Sequence, residues 1–410
     1  MNLLAEKLKA RIRSTGPVPF RDFMEAALYD PEAGYYNTER LKIGPAGDYY
    51  TSSNVHAAFG ACMAQLFSEL LEPPVDVDAS GSPGKISAGT ADPCTILEMG
   101  SGTGQLACDI LAALQLEHPG IYSRVRYAIA ERSPAMAARQ REKLGPHLGK
   151  VQWLKVTSEG QPDVDPIDGI IFSNELIDAL PVHVIRAAAG GLEELYVVCR
   201  DEQSGQEPAI TNRQSSAVGA SRSPENTRDE FSFAWRPPST ERIKRYMERM
   251  GVPLSPGQIA EVNLDAVDWL QAAARILNSG YLVTVDYGDI APHLYGEDRR
   301  AGTLRAFHKH SLAPSVLDRV GEQDITSSVN FTALMEYGRD AGLETLSFER
   351  QSAFLFRMGL IDRITALASQ TGDPTADLKS RLAIKNLFVP GGASDNFRVL
   401  IQSKLPHRSK

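Results

Sequence analysis

Apolar positions at the start of the chain recur at helical spacing: Leu3, Leu4, Leu8 and Ile12 share one face of a helix expected over Met1 to Arg13. Helix signals continue to the apolar stretch Phe59 to Leu71, which Pro73 and Pro74 stop. From Cys94 onward, short apolar runs alternate with helical stretches. Thr95 to Met99, Tyr127 to Ala130 and Ile170 to Phe172 read as strands, and Gln105 to Leu116 and Pro134 to Leu144 as helices. A helix over Leu264 to Leu277 leads past Asn278 to Gly280 into a strand at Tyr281 to Val285, and another strand is expected at Phe397 to Ile401. This βαβ punctuation predicts an α/β fold with a mostly parallel sheet. Between Leu304 and Asn330 the pattern is too irregular to assign.

Two changes of composition divide the chain. Residues 73–93 are crowded with Pro, Gly, Ser, Asp and Ala and predict a flexible linker; residues 200–230 are polar, with few apolar positions, and predict a disordered insertion. The expected organisation is an N-terminal helical unit and lid at 1–72, the linker, a first part of the α/β domain at 94–199, the insertion, and the rest of that domain at 231–410 with elements that cover a substrate. With 410 residues, 42% of them hydrophobic, the chain can bury a full core.

A net charge of -8 without a long Lys/Arg cluster argues against nucleic acid as the main partner. No run approaches the roughly 18 apolar residues of a membrane span. Cys62, Cys94, Cys108 and Cys199 lie far apart without CxxC spacing, as expected of reduced thiols in a bacterial cytoplasm. Lys7, Lys9, Arg11 and Arg13 raise the alternative of a mitochondrial transit peptide, but the segment runs on without a cleavage site, which favours a plain amphipathic helix.

The chemistry concentrates in Ile96-Leu97-Glu98-Met99-Gly100-Ser101-Gly102-Thr103-Gly104-Gln105-Leu106, a strand that turns through three alternating glycines into a helix. Gly100, Gly102 and Gly104 let the backbone take positive φ and approach a ligand closely. A ligand-free turn would have the same outline, but the surrounding acids narrow the reading. The spacing is GxGxG, one residue short of the GxGxxG of dinucleotide enzymes, which disfavours an NAD-linked oxidoreductase. Glu98 stands two residues before the first glycine, where a carboxylate can meet the ammonium of a sulfonium amino acid. Glu131 ends the next strand, where its two oxygens can accept both hydroxyls of a ribose.

A third cluster, Ser173-Asn174-Glu175-Leu176-Ile177-Asp178, follows an apolar strand. Its polar groups either orient an amine, guanidine or hydroxyl acceptor or simply start a helix capped by Asn174. Asp286, at the end of a predicted central strand, is expected in the same crevice, and His308 and His310 are available as bases for a hydroxyl acceptor. No residue set suggests a metal.

Glu98 to Leu106, Asn174 to Pro181 and Val285-Asp286-Tyr287-Gly288 occur together in the MidA-like methyltransferases, and the chain resembles that family over nearly its whole length outside the linker and insertion. Arg21-Asp22-Phe23-Met24, Tyr29-Asp30-Pro31, Gly34-Tyr35-Tyr36, Gly47 to Ser52, Leu304 to Phe307 with His310, Gly321 to Thr326 and Val329-Asn330-Phe331 carry the resemblance further. It implies a Rossmann-like class I methyltransferase with helices on both faces of the sheet and S-adenosyl-L-methionine as cofactor, held by Glu98, Gly100, Gly102, Gly104, Glu131, Asn174, Thr51 and Ser52. Glu175, Asp178, Asp286 and His310 are the candidates for the catalytic side, with Tyr49 to Ser53 as a lid.

The family's eukaryotic relatives are mitochondrial complex I assembly factors that methylate an arginine. The implied acceptor is therefore a protein, with a small-molecule O- or N-methyltransferase and a noncatalytic assembly protein as alternatives, and a homodimer left open. The chain departs from the family where Ser101 replaces a common Pro, Asn330 a common Asp, and Gly391-Gly392-Ala393-Ser394 a Met-Gly pair. An acid missing at position 330 would bear on arginine recognition.

Overall fold

A computed structural model of the chain describes residues 2–38, 57–72, 94–157, 161–200, 231–309, 311–363 and 396–404. The predicted linker and all of the predicted insertion at 200–230 except Arg200 lie outside the described residues, as do Tyr49 to Ser53, His310 and Gly391 to Ser394. Contacts group the chain into two compact units: unit 1 from Met1–Tyr50, Ile177–Asp268 and Gly288–Glu336, and unit 2 from Thr51–Leu176, Trp269–Tyr287 and Tyr337–Lys410. These units cut across the consecutive segments read from the sequence. The reason is packing at long range, which gives the helices Leu3–Thr15 and Ala57–Leu71 to different cores.

Unit 2 is built on seven strands: β1 Cys94–Met99, β2 Val125–Ala130, β3 Val151–Leu154, β4 Ile167–Asn174, β5 Leu277–Asp289, β6 Glu344–Arg350 and β7 Phe397–Lys404. They lie in the order β3-β2-β1-β4-β5-β7-β6. Pairings among β1 to β5 are all parallel, and β7 runs antiparallel to both β5 and β6. Side chains alternate between the faces. Ile96, Tyr127, Ile170, Phe172, Val283, Val285, Val399 and Ile401 bury one face against Phe59 and Phe67 of Ala57–Leu71 and Ile110 and Leu114 of Gln105–Glu117. The opposite face carries Gln402 close under Gly338 of the helix Phe331–Asp340, where a Cβ would collide with the Gln402 side chain. Helices therefore cover both faces, as a sheet of near-continuous apolar strands requires.

The chain reverses direction across the sheet at β1 and β4, whose C-terminal ends lie side by side, Met99 opposite Ser173. Open parallel sheets bind ligands at that switch point.

Unit 1 holds a five-stranded antiparallel sheet of Val18–Pro19, His183–Ala188, Gly191–Cys199, Phe231–Arg236 and Ile259–Val262. The stretch Leu304 to Asn330 resolves into strands of two to four residues, Arg305–His308, Ser311–Leu312, Asp324–Thr326 and Val329–Asn330. The first helix buries Leu4, Leu8 and Ile12 here, while Leu3 is 58% exposed. No helix among the described residues is long and apolar enough to cross a membrane, and all four cysteines are free thiols.

Candidate active site

Strand β1 delivers Glu98 to the switch point in an almost fully buried position. Among the described residues, Oε2 of its carboxylate accepts from the Ser101 hydroxyl at 2.7 Å and the Tyr127 hydroxyl at 3.0 Å. Burial pushes the Glu98 carboxyl up to about 7, and the nearby charge of Glu131 adds to the rise against the two hydroxyl donors.

After Met99 the backbone passes through Gly100 at φ 79°, Gly102 at φ 52° and Gly104 at φ 78°. All three lie in the left-handed region that L side chains avoid. Gly104 caps the helix Gln105–Glu117, whose first N–H groups leave the positive end of its dipole at the loop. A Cβ on Gly100 would stand 2.8 Å from Cδ1 of Leu176, so the loop lies tightly against the segment that follows β4.

Glu131 follows β2. The Ser133 backbone N–H donates to its Oε1 at 2.8 Å and the Gln140 amide donates to its Oε2 at 2.8 Å. Burial raises its pKa as well. Asn174 is the last residue of β4 and shares a face with Glu98, because Glu98 pairs with Phe172 two residues earlier. Its amide nitrogen donates to Glu175 at 3.3 Å, and its buried Oδ1 accepts no hydrogen bond among the described residues. Glu175 itself sits at φ 51°, rare for a residue with a side chain, and its N–H donates to the Val285 carbonyl. Strain of this kind, of order 1–3 kcal/mol, collects at functional sites.

The glycine loop, Glu98, Glu131, Asn174 and Glu175 all belong to unit 2. Asp178 belongs to unit 1, in the single turn Ile177–Ala179, where its carbonyl accepts from the Ser327 N–H at 2.9 Å. That turn is all that follows of the helix start considered for this cluster. Asp286 is completely buried on the sheet face opposite Asn174, and its Oδ1 accepts from the Tyr287 N–H. His308 donates from Nδ1 to the Glu322 carbonyl at 3.0 Å. Thr51, Ser52 and His310 lie outside the described residues.

Asn330 is buried in unit 1. Its amide nitrogen donates to the Tyr246 and Tyr295 hydroxyls at 3.0 and 3.2 Å and lies 3.3 Å from Met250 Sδ, while its Oδ1 accepts from the Ala333 N–H at the start of the helix Phe331–Asp340. Ser101, notable in the sequence only as a replacement for a common Pro, and Tyr127 and Gln140, read only as strand and helix positions, gain their site contacts from the structure. Gln140 had a usable signal: it is a polar residue four positions from both Met136 and Leu144, on what reads as an apolar stripe.

Residues 83–349 match the model of a family described as putative S-adenosyl-L-methionine-dependent methyltransferase. Among curated proteins, the mitochondrial protein arginine methyltransferase NDUFAF7 of Mus musculus is 25% identical over 426 residues, spanning 98% of this chain and 84% of that protein. The Drosophila melanogaster homolog is 26% identical over 375 residues, spanning 87% and 74%. Among solved structures, a protein from Burkholderia thailandensis with S-adenosyl-homocysteine bound aligns with a TM-score of 0.77 at 27% identity, covering 98% of this chain and 92% of that one.

Proposed function

Because the chain belongs to the S-adenosyl-L-methionine-dependent methyltransferase family that this model describes, we propose that it methylates an arginine side chain of a protein, a respiratory-complex subunit in the first instance. The carrying observation is the set at the switch point: three left-handed glycines, the buried carboxylate of Glu98, the half-buried carboxylate of Glu131, and the Oδ1 of Asn174, which accepts no hydrogen bond among the described residues. That set fits S-adenosylmethionine. Glu98 faces the ammonium, Glu131 accepts the ribose hydroxyls, the Gly100 to Gly104 backbone passes close to the ligand, and Asn174 Oδ1 accepts a donor from cofactor or acceptor. Thr51 and Ser52 complete the cofactor set by resemblance.

The bound sulfonium supplies an electrophilic methyl group. The protein's part is to align the acceptor nitrogen in line with that methyl and exclude water, an orientation effect that supplies ~7 kcal/mol or more. On the acceptor side Glu175 is the lead residue, with its strained backbone beside Asn174; a carboxylate there holds a guanidinium by charge-assisted hydrogen bonds. Asp178 is a second acceptor-side carboxylate and His310 a reserve base. Asp286, buried and bonded to its own strand end, orients backbone.

The names of the mitochondrial relatives support arginine as acceptor. Asn330 does not count against it: its hydrogen bonds hold a helix start and two tyrosines, so an amide in place of a common acid acts on internal packing. Free thiols support a reducing compartment, which we place in a bacterial cytoplasm. Calorimetric titration with S-adenosylhomocysteine, with NADH as control, followed by transfer of labelled methyl to arginine-containing protein, tests the reading. Saturable binding of the first ligand alone with label released as methylarginine is expected; label in a small molecule only, or none, overturns it.

A further inference from the structure

The helix Pro134–Lys143 buries one side chain, and that side chain is polar: Gln140, fully inaccessible to solvent. A core-facing helical position is ordinarily apolar, because an amide taken out of water costs free energy unless it is hydrogen-bonded. Here the bonds are made. The Trp153 indole N–H, from β3, donates to Gln140 Oε1 at 2.9 Å, which fixes which end of the amide carries the hydrogens. The NH2 group then donates to two acceptors, the Gly102 carbonyl and Glu131 Oε2, each at 2.8 Å. Gly104 packs on the same side chain, with a hypothetical Cβ 3.2 Å from Gln140 Cγ.

One amide thus ties the middle of the glycine loop to the acid at the end of β2 and is itself aimed by β3. We infer that Gln140 is a positioning residue for the cofactor, holding the Glu131 carboxylate and the Gly102 segment in the mutual geometry that reads the ribose hydroxyls. The role rests on the assignment of Glu131 to the ribose. A neutral donor suits it. Lys or Arg at this place would neutralise the carboxylate, and Glu would repel it, whereas an amide orients the oxygens and leaves the negative charge to accept hydroxyl protons.

The test compares calorimetric dissociation constants for S-adenosylhomocysteine and its 2′,3′-dideoxy analogue in the wild-type chain, Glu131→Ala, Gln140→Leu, Trp153→Phe and the Glu131→Ala/Gln140→Leu double variant. Wild type is expected to favour the hydroxylated ligand by about tenfold or more, the scale of a hydrogen bond to a charged group. Gln140→Leu and Trp153→Phe should each cut that preference to about threefold or less, and Gln140→Leu should add nothing in the Glu131→Ala background. General loosening of the fold would weaken both ligands alike and leave the preference intact.

If Glu131→Ala keeps the wild-type preference, the ribose assignment fails and this role falls with it. If Glu131→Ala abolishes the preference while Gln140→Leu retains it, the ribose assignment stands and the positioning role is overturned. Trp153→Phe, which keeps an aromatic ring and removes the N–H donor together with part of the indole, decides the matter if Gln140→Leu does not fold.

Discussion

Glu98 makes cofactor affinity a function of pH in a predictable window. Its carboxyl is nearly sealed from solvent and titrates at about 7 without ligand, against an ordinary 4.5. If the carboxylate form is what meets the ligand ammonium, the apparent dissociation constant scales with the inverse of the ionised fraction. That fraction is about three quarters at pH 7.5 and about one eleventh at pH 6.0, so S-adenosylhomocysteine should bind about eightfold more weakly at pH 6.0.

Calorimetry in buffers of different ionisation enthalpy should also register release of about half a proton on binding at pH 7. Ligand-free stability moves the other way. The folded chain keeps this proton where the unfolded chain has lost it, so as pH rises from about 4.5 to 7 the group destabilises the fold, by about 3 kcal/mol at full extent. Glu98→Gln should flatten both curves, which separates Glu98 from Glu131, whose pKa burial also raises. Wild-type affinity that is constant from pH 6.0 to 7.5, or a slope that survives Glu98→Gln, would refute the assignment.

Gly102→Val should abolish S-adenosylhomocysteine binding with an unchanged circular-dichroism spectrum, since the φ of 52° and the ligand path both exclude a branched side chain. Gly100→Ala meets Leu176 at 2.8 Å and should cost ~1–2 kcal/mol in thermal unfolding as well as binding. Asn330→Ala removes a helix cap and two tyrosine contacts; we expect ~2 kcal/mol lost in denaturant titrations with the dissociation constant for S-adenosylhomocysteine unchanged. At Gly60 the helices Ala57–Leu71 and Gln105–Glu117 approach so closely that a Cβ would collide with Asp109, so Gly60→Val should destabilise by ~1–3 kcal/mol or more in the same assay.

The parallel half of the fold could be read from the chain because its signals are local. Strand β1, the glycine loop, the following helix and Glu131 fall within forty residues and follow period and turn rules that need no distant partner. The antiparallel sheet of unit 1 is not legible from the sequence: the two-residue turn between His183–Ala188 and Gly191–Cys199 is Ala189-Gly190, a weaker hairpin signal than Asn-Gly or Gly-Gly. Strands of two to four residues between Arg305 and Asn330 are too short to show a period at all. Nor can one sequence say which face of a strand a residue takes. Asp286 looked like a crevice acid beside Asn174, yet the register sends it to the opposite side. Asn330 owes its role to Tyr246 and Tyr295, residues 84 and 35 positions away.

The core of unit 1 also sets a waiting time. Leu4, Leu8 and Ile12 share that core with Val316, Val320 and Ile325, and the Asn2 side chain donates to the Val320 carbonyl. At a synthesis rate of about 5–20 residues per second, the first helix leaves the ribosome roughly 15–60 s before its last partners exist. During that interval an apolar stripe is exposed on a nascent chain. Early binding by a chaperone that shields such stripes, and aggregation of chains that terminate before about residue 300, are the costs this topology places on production of the protein.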